Sequence, residues 1–155
     1  MEDVRSSRYW VGAGALIGLL AALPLLAVQM ADDAYIHARI VENLVANGQP
    51  AFNPGDLFKA SSATGYVLLL AALSPVFGTL TAIKVVQAVA LVATMVVAAV
   101  LVRAAPTNRL FAALALLGAA PMVFMSAYLG METTIVAALM LSAALALQRG
   151  SLGRA

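Results

Sequence analysis

The sequence predicts an all-α integral membrane protein. It should have about four transmembrane helices, an amphipathic external-loop helix and a short juxtamembrane helix. Three observations carry this. The 155 residues are 63% hydrophobic and 10% charged, with mean hydropathy +0.97, whereas soluble domains have roughly 45–50% apolar and about 25% charged residues. The apolar residues gather into uncharged runs of membrane length. One stretch of about a dozen residues between them has an apolar stripe at helical spacing.

The first run, Trp10–Met30, carries no charge and one polar side chain, Gln29. As a helix it is ~31 Å long, the thickness of a hydrocarbon core. Arg5 and Arg8 precede it, as in a signal peptide. The run is longer than a signal's ~7–15-residue apolar region, and Val28-Gln29-Met30-Ala31 lacks the small-x-small cleavage pattern. It therefore reads as an uncleaved first span, about residues 10–30. Further runs at Val85–Val102, Leu110–Leu129 and Thr133–Gln148 give helices of ~27, ~30 and ~24 Å, placing spans at about 82–103, 109–129 and 131–148. Pro106-Thr107-Asn108 and Leu129-Gly130-Met131 break the chain between them. Pro24 and Pro121 lie inside spans, where kinks are tolerated.

Residues 31–64 form the external loop. Within it, Ala34–Ala46 reads as an amphipathic helix with Tyr35, Ile36, Ile40 and Leu44 on its apolar stripe. Asn47-Gly48 ends that helix, and Asn53-Pro54-Gly55-Asp56 is a turn. Residues 65–78 follow. Their clean apolar core, Gly65–Leu73, makes only ~14 Å of helix before Ser74-Pro75 interrupts it, so the segment reads as a juxtamembrane helix dipping into one leaflet. With four spans and a cytoplasmic N-terminus, Arg5, Arg8, Arg103, Arg109, Arg149 and Arg154 are inside and Arg39, Lys59 and Lys84 outside. That six-to-three division obeys the positive-inside bias. Five spans with an external N-terminus give the same division, and the shortness of Gly65–Leu73 argues against them.

Net charge is +2, and no basic patch has interleaved aromatics, so nucleic acid is not an expected partner. The lack of cysteine excludes disulfides, thiolate metal sites and cysteine nucleophiles, and the single histidine excludes multi-histidine zinc sites.

The chemistry-bearing residues cluster where the first span leaves the membrane. Asp32 and Asp33 stand at the head of the amphipathic helix. Carboxylates there are favoured by the helix dipole, which is their structural reading. If the helix starts at Asp32, then Asp32, Ile36 and Arg39 share one face, and Asp33, His37 and Leu44 another. One carboxylate could then bind a divalent cation, Mg or Mn, while the other takes a proton. Arg39, Lys59 and Lys84 are external cations able to meet a phosphate, and snorkelling or loop solvation is their alternative role. His37 reads as an interface residue or a substrate contact. Glu132, at the outer mouth of the third and fourth spans, lies on the same side as the aspartates. It is a substrate-site candidate as well as a dipole-stabilised carboxylate. Tyr9, Trp10, Tyr66 and Tyr128 read as belt residues.

The stretch Asp32-Asp33-Ala-Tyr-Ile-His-Ala-Arg-Ile-Val-Glu-Asn-Leu-Val-Ala-Asn-Gly, followed by Ala-Phe-Asn-Pro-Gly-Asp, resembles the first external loop of GT-C glycosyltransferases. It is most similar to the bacterial group of arabinofuranosyl- and mannosyl-type polyprenyl-phosphate enzymes, whose pattern runs roughly DDAYI-x-x-R-x-x-x-NL-x-x-G-x-G-x-x-FNPGE. Gly130-Met131-Glu132-Thr133 resembles that group's GMET element. The two matches bracket about two thirds of the chain. Pro50 stands where the group has glycine, and Ala60-Ser61-Ser62-Ala63-Thr64-Gly65-Tyr66 departs from its V-x-G-x-T-SPLW stretch.

The resemblance implies sugar transfer from a polyprenyl-phosphate donor to a cell-envelope acceptor, at the external face of a bacterial inner membrane. The motif places the acidic pair on Asp32 and Asp33, with Asp33 the preferred base. Members of the group carry more spans and often an external domain. The chain thus resembles an N-terminal module, completed by a C-terminal half or partner subunit. The alternatives are a non-catalytic truncated protein that binds polyprenyl phosphate or a partner enzyme, and a small oligomeric transporter. The last ranks lowest, because only Lys84 charges a run, near its end.

Overall fold

The computed structural model describes residues 2–55, 61–104 and 108–152. The chain is an all-α membrane protein. Its helices are α1 (Glu2–Ala27), α2 (Asp32–Asn47), α3 (Thr64–Phe77), α4 (Thr79–Ala104), α5 (Arg109–Leu129) and α6 (Thr133–Leu152). Among the described residues three stretches, Ser7–Ala27, Thr79–Ala104 and Ala112–Leu129, are long and apolar enough to cross a membrane. The expected fourth span is helix α6, whose apolar part, Thr133–Gln148, is shorter. Its head is trimmed because Gly130 turns the chain at φ 72° and Met131 and Glu132 precede the first helical residue.

Small residues decide how the long helices meet. Gly14, Gly18 and Ala22, each four residues apart, are buried on one face of α1. A Cβ on Gly18 would lie 2.6 Å from the Val92 Cα, and one on Gly14 would lie 2.7 Å from the Met95 carbonyl oxygen. The α1 and α4 backbones therefore approach as only glycine permits, the usual way apolar helices gain contact without a hydrophobic driving force. α4 touches all the other helices and is the centre of the bundle. α5 packs less closely, and between it, α1, α4 and α6 lies an apolar-lined cavity of about 610 Å³ bordered by Trp10, Ile17, Thr94, Leu116, Phe124 and Met140.

The larger buried cluster joins the short helices to the first turns of α4. It lies at the α2–α3 end, where Met30, Ala34, Ile40, Val41, Val67, Leu70, Ile83 and Val86 are buried together. Most large side chains on α1 and α5 remain outward, including Leu16, Leu19, Leu23, Leu114 and Leu117, as lipid-facing surfaces should.

α3 corrects one expectation. Ser74-Pro75 does not interrupt it; the helix runs on to Phe77 with Pro75 inside. Proline removes the N–H that would bond the Ala71 carbonyl. The Ser74 hydroxyl donates to that carbonyl instead, at 3.2 Å, so the turn keeps its hydrogen bonding. At fourteen residues α3 is still only ~21 Å long. It turns at Gly78 (φ 75°) directly into α4 and packs beside it.

Candidate functional site

The α2 helix begins one residue after Ala31, whose extended backbone (φ −81°, ψ 176°) makes it the N-cap. Alanine has no side-chain acceptor, so Asp32 and Asp33 occupy the first turn and answer the exposed N–H groups only through the helix dipole. The helix ends as its sequence predicts, at Gly48 with φ 70° and its N–H on the Leu44 carbonyl.

The two carboxylates diverge. Asp32 is exposed, on the same face as exposed Arg39, while Asp33 is half-buried on the same face as half-buried His37. His37 Nδ1 lies 3.0 Å from the Asp33 carbonyl oxygen. A carbonyl can only accept, so Nδ1 carries the hydrogen of this bond. The imidazole and the Tyr66 ring meet in a T-shaped pair, centroids 5.1 Å apart at 77°.

Tyr66 is the hub of the site, and its expected role as a belt residue is not what the structure shows. It is 5% exposed. Its hydroxyl donates to the Gly130 carbonyl at 2.9 Å and accepts from the Gln87 amide at 2.9 Å. The same Gln87 nitrogen donates to the Met131 carbonyl at 2.8 Å. Tyr66 stands in the first turn of α3, outside the three spanning helices. Burial pushes its hydroxyl up to about 12 from 10.0, the Gln87 hydrogen bond pulls the other way, and the nearby Glu132 carboxylate adds to the rise. It is a neutral donor at physiological pH.

These bonds bring the two distant motifs together. The Ala31 N–H reaches the Tyr128 carbonyl at 3.4 Å. A Cβ on Gly130 would lie 2.6 Å from the Ala34 Cβ. The Gly130–Thr133 turn is thus seated on the head of α2, and half-buried Glu132 is at the same end of the bundle as Asp32 and Asp33. Lys84 is also at this end, but its ammonium donates to the Val28 carbonyl at 2.9 Å and to Leu26 at 3.4 Å. It thereby closes the C-terminus of α1, where a cation also meets the negative dipole end. Lys59 lies outside the described residues.

The loop beyond α2 is fastened from within. Buried Asn43 donates through Nδ2 to the carbonyls of Ala51 (2.8 Å) and Phe52 (2.9 Å). The Gly55 N–H, at φ 90°, donates to the Gln49 side-chain oxygen at 3.2 Å.

Among the described residues, no group of three or more acidic or histidine side chains is arranged to hold a metal ion.

Tyr66, expected as a belt residue, and Gln87, Asn43 and Thr134 were not among the candidate site residues. For Gln87 and Thr134 the available signal was a polar side chain in or at the head of an apolar run, which is costly unless it bonds. Comparison with protein families, with curated proteins and with solved structures gives no match for this chain.

Proposed function

We propose that the chain is the N-terminal membrane module of a GT-C-type glycosyltransferase that uses a polyprenyl-phosphate sugar at the external face of a bacterial inner membrane. The carrying observation is the convergence of the two motif segments. The Asp32-Asp33 head and the Gly130–Thr133 turn are about a hundred residues apart in sequence, yet Gly130 packs on Ala34 and is held by Tyr66. A merely coincidental pair of motifs has no reason to share one hydrogen-bonded unit.

In this reading Asp33 takes the proton of the acceptor hydroxyl. That oxygen attacks the anomeric carbon, and the lipid phosphate leaves with the electron pair of the broken bond. The half-buried position of Asp33 beside His37 suits a base better than the exposed position of Asp32. Asp32 and Arg39 face outward together, a carboxylate for Mg or Mn and a fork of N–H donors for the phosphate. A bound cation would neutralise charge on the leaving phosphate. Glu132 and His37 flank the acceptor path. The apolar cavity below offers space to an isoprenoid tail, and a C-terminal half or partner subunit supplies the remaining walls.

The test is Asp33→Asn in the complete enzyme or reconstituted complex. Transfer should fall by at least ~100-fold, the scale of general acid–base catalysis, with expression and insertion intact. If Asp32→Asn and Asp33→Asn both keep near-normal transfer, the carboxylates serve the helix alone. A cytoplasmic N-terminus is checked in the same membranes. The chain has no cysteine, so Asn53→Cys should label from outside and Asn108→Cys from inside, and the reverse pattern inverts the orientation.

A second reading, a non-catalytic binder of polyprenyl phosphate, draws on the apolar cavity and not on Lys84, whose ammonium is spent on α1 carbonyls. In that case Asp33→Asn leaves lipid binding unchanged and no complement confers transfer.

A further inference from the structure

We infer that one ordered internal water bridges Gln87 and Thr134 and completes a hydrogen-bonded chain across α6, α4 and α3. This inference does not depend on the glycosyltransferase reading.

Gln87 and Thr134 are both fully buried, at 0% exposure. The Gln87 amide cannot be turned over. One of its N–H groups goes to the Met131 carbonyl, which can only accept. The other goes to the Tyr66 oxygen, whose own hydrogen is committed to the Gly130 carbonyl. Oε1 is therefore left as an acceptor with no donor, and the Thr134 hydroxyl also has no partner. The two orphans belong to one locality. Thr134 follows Gly130 and Met131 by four and three residues, and those are the two carbonyls that Tyr66 and Gln87 hold. α6 packs on α4, and Thr134 is buried in the first turn of α6.

Buried amide and hydroxyl groups are expensive to leave unmade, more so at membrane depth, where bulk water cannot reach them. The chemistry of the missing partner is narrow. It must donate to Oε1 and pair with a hydroxyl. An anion is repelled by the amide oxygen and offers it no proton. A larger solute has no path to two side chains with no exposed surface. Water meets each requirement, since internal waters typically bond two to four otherwise unsatisfied groups. The chain then runs Thr134, water, Gln87, Tyr66, Gly130, and each buried polar atom in it is satisfied. Its effect is to fasten the Gly130–Thr133 turn from below while Ala34 supports it from above.

The experiment is thermal unfolding of the full chain in detergent micelles, paired with NMR. Thr134→Val keeps the shape of the side chain and deletes its hydroxyl. If the water is there, the midpoint falls by about 2–4 °C or more, because the water loses a partner. In a Gln87→Met background, the same substitution then has little further effect. A dry site predicts the opposite sign: removing an unsatisfied hydroxyl leaves the midpoint unchanged or raises it, which overturns the inference. A direct bond between the two side chains would also lower the midpoint, so the second measurement separates them. A long-lived water should show cross-relaxation with the ¹⁵N-labelled Gln87 side-chain amide, and its absence overturns the inference whatever the midpoints do. If Gln87→Met does not fold, the sign of Thr134→Val and the cross-relaxation decide the question.

Discussion

Gly130→Ala probes the contact on which the candidate site is built. Two costs separate cleanly there. The first is conformational: Gly130 has φ +72°, a left-handed backbone that costs an L-residue roughly 1–2 kcal/mol. The second is steric. The new methyl would lie 2.6 Å from the Ala34 Cβ, 3.0 Å from its Cα and 3.2 Å from the Ile83 Cγ2. To restore an ordinary contact of 3.4 Å, the head of α2 must retreat by about 0.8 Å. Neither neighbour is the far end of a flexible chain, so this is overpacking of a built core, worth about 1–3 kcal/mol.

Gly48 is the internal control. Its φ of +70° carries the same conformational cost, but nothing stands within 4 Å of a Cβ placed there. In thermal unfolding of detergent-solubilised protein, Gly48→Ala should lose about 1–2 kcal/mol and Gly130→Ala about 2–5 kcal/mol. At roughly 2–4 °C per kcal/mol for a chain of this size, the midpoints fall by about 2–8 °C and about 4–20 °C. Gly12→Ala, at an open helical position, should be neutral or slightly stabilising. Equal losses for Gly130→Ala and Gly48→Ala would refute the claim that the turn is seated on α2.

Two further outcomes follow from the hydrogen bonding. Asn43→Asp replaces a donor to two carbonyls with a carboxylate facing them, at a cost of about 2–4 kcal/mol at pH 7. The fold should raise that carboxyl's pKa, so the cost shrinks as pH falls toward about 4, and faster proteolysis of the 49–55 segment at pH 7 than at pH 5 is the check; a pH-independent rate would refute it. Tyr66, raised from 10.0 to about 12, binds its proton more tightly folded than unfolded. Its contribution is complete below pH 10 and is lost as pH rises toward 12, so the denaturation midpoint of wild type should fall across that window more steeply than that of Tyr66→Phe.

What the sequence determined by itself was set by local, one-dimensional quantities. Run length and charge established a helical membrane protein. The period of Tyr35, Ile36, Ile40 and Leu44 gave the amphipathic helix, and Asn47-Gly48 its end. The same arithmetic put Asp32 with Arg39 and Asp33 with His37, as found, because helix geometry is independent of context. It bounded the short third helix to within a residue, at 65–78, but expected Ser74-Pro75 to interrupt it; proline's missing N–H is compensated by the preceding serine, which the propensity of Ser-Pro does not convey. It also cast Tyr66 as a belt residue, because composition cannot distinguish an aromatic at the interface from one turned inward.

Only the tertiary structure decided which distant groups meet. In the sequence Gln87 is one polar side chain inside an apolar run, and Gly130 reads as part of a chain break. Their roles depend on the close approach of α4, the α5–α6 turn and α2, and that approach rests on glycine at Gly14, Gly18 and Gly130. The physical reason is that hydrophobicity drives helices into the membrane without saying which face meets which. Pairing is chosen afterwards, by backbone proximity at small residues and by the few polar groups that lipid cannot satisfy.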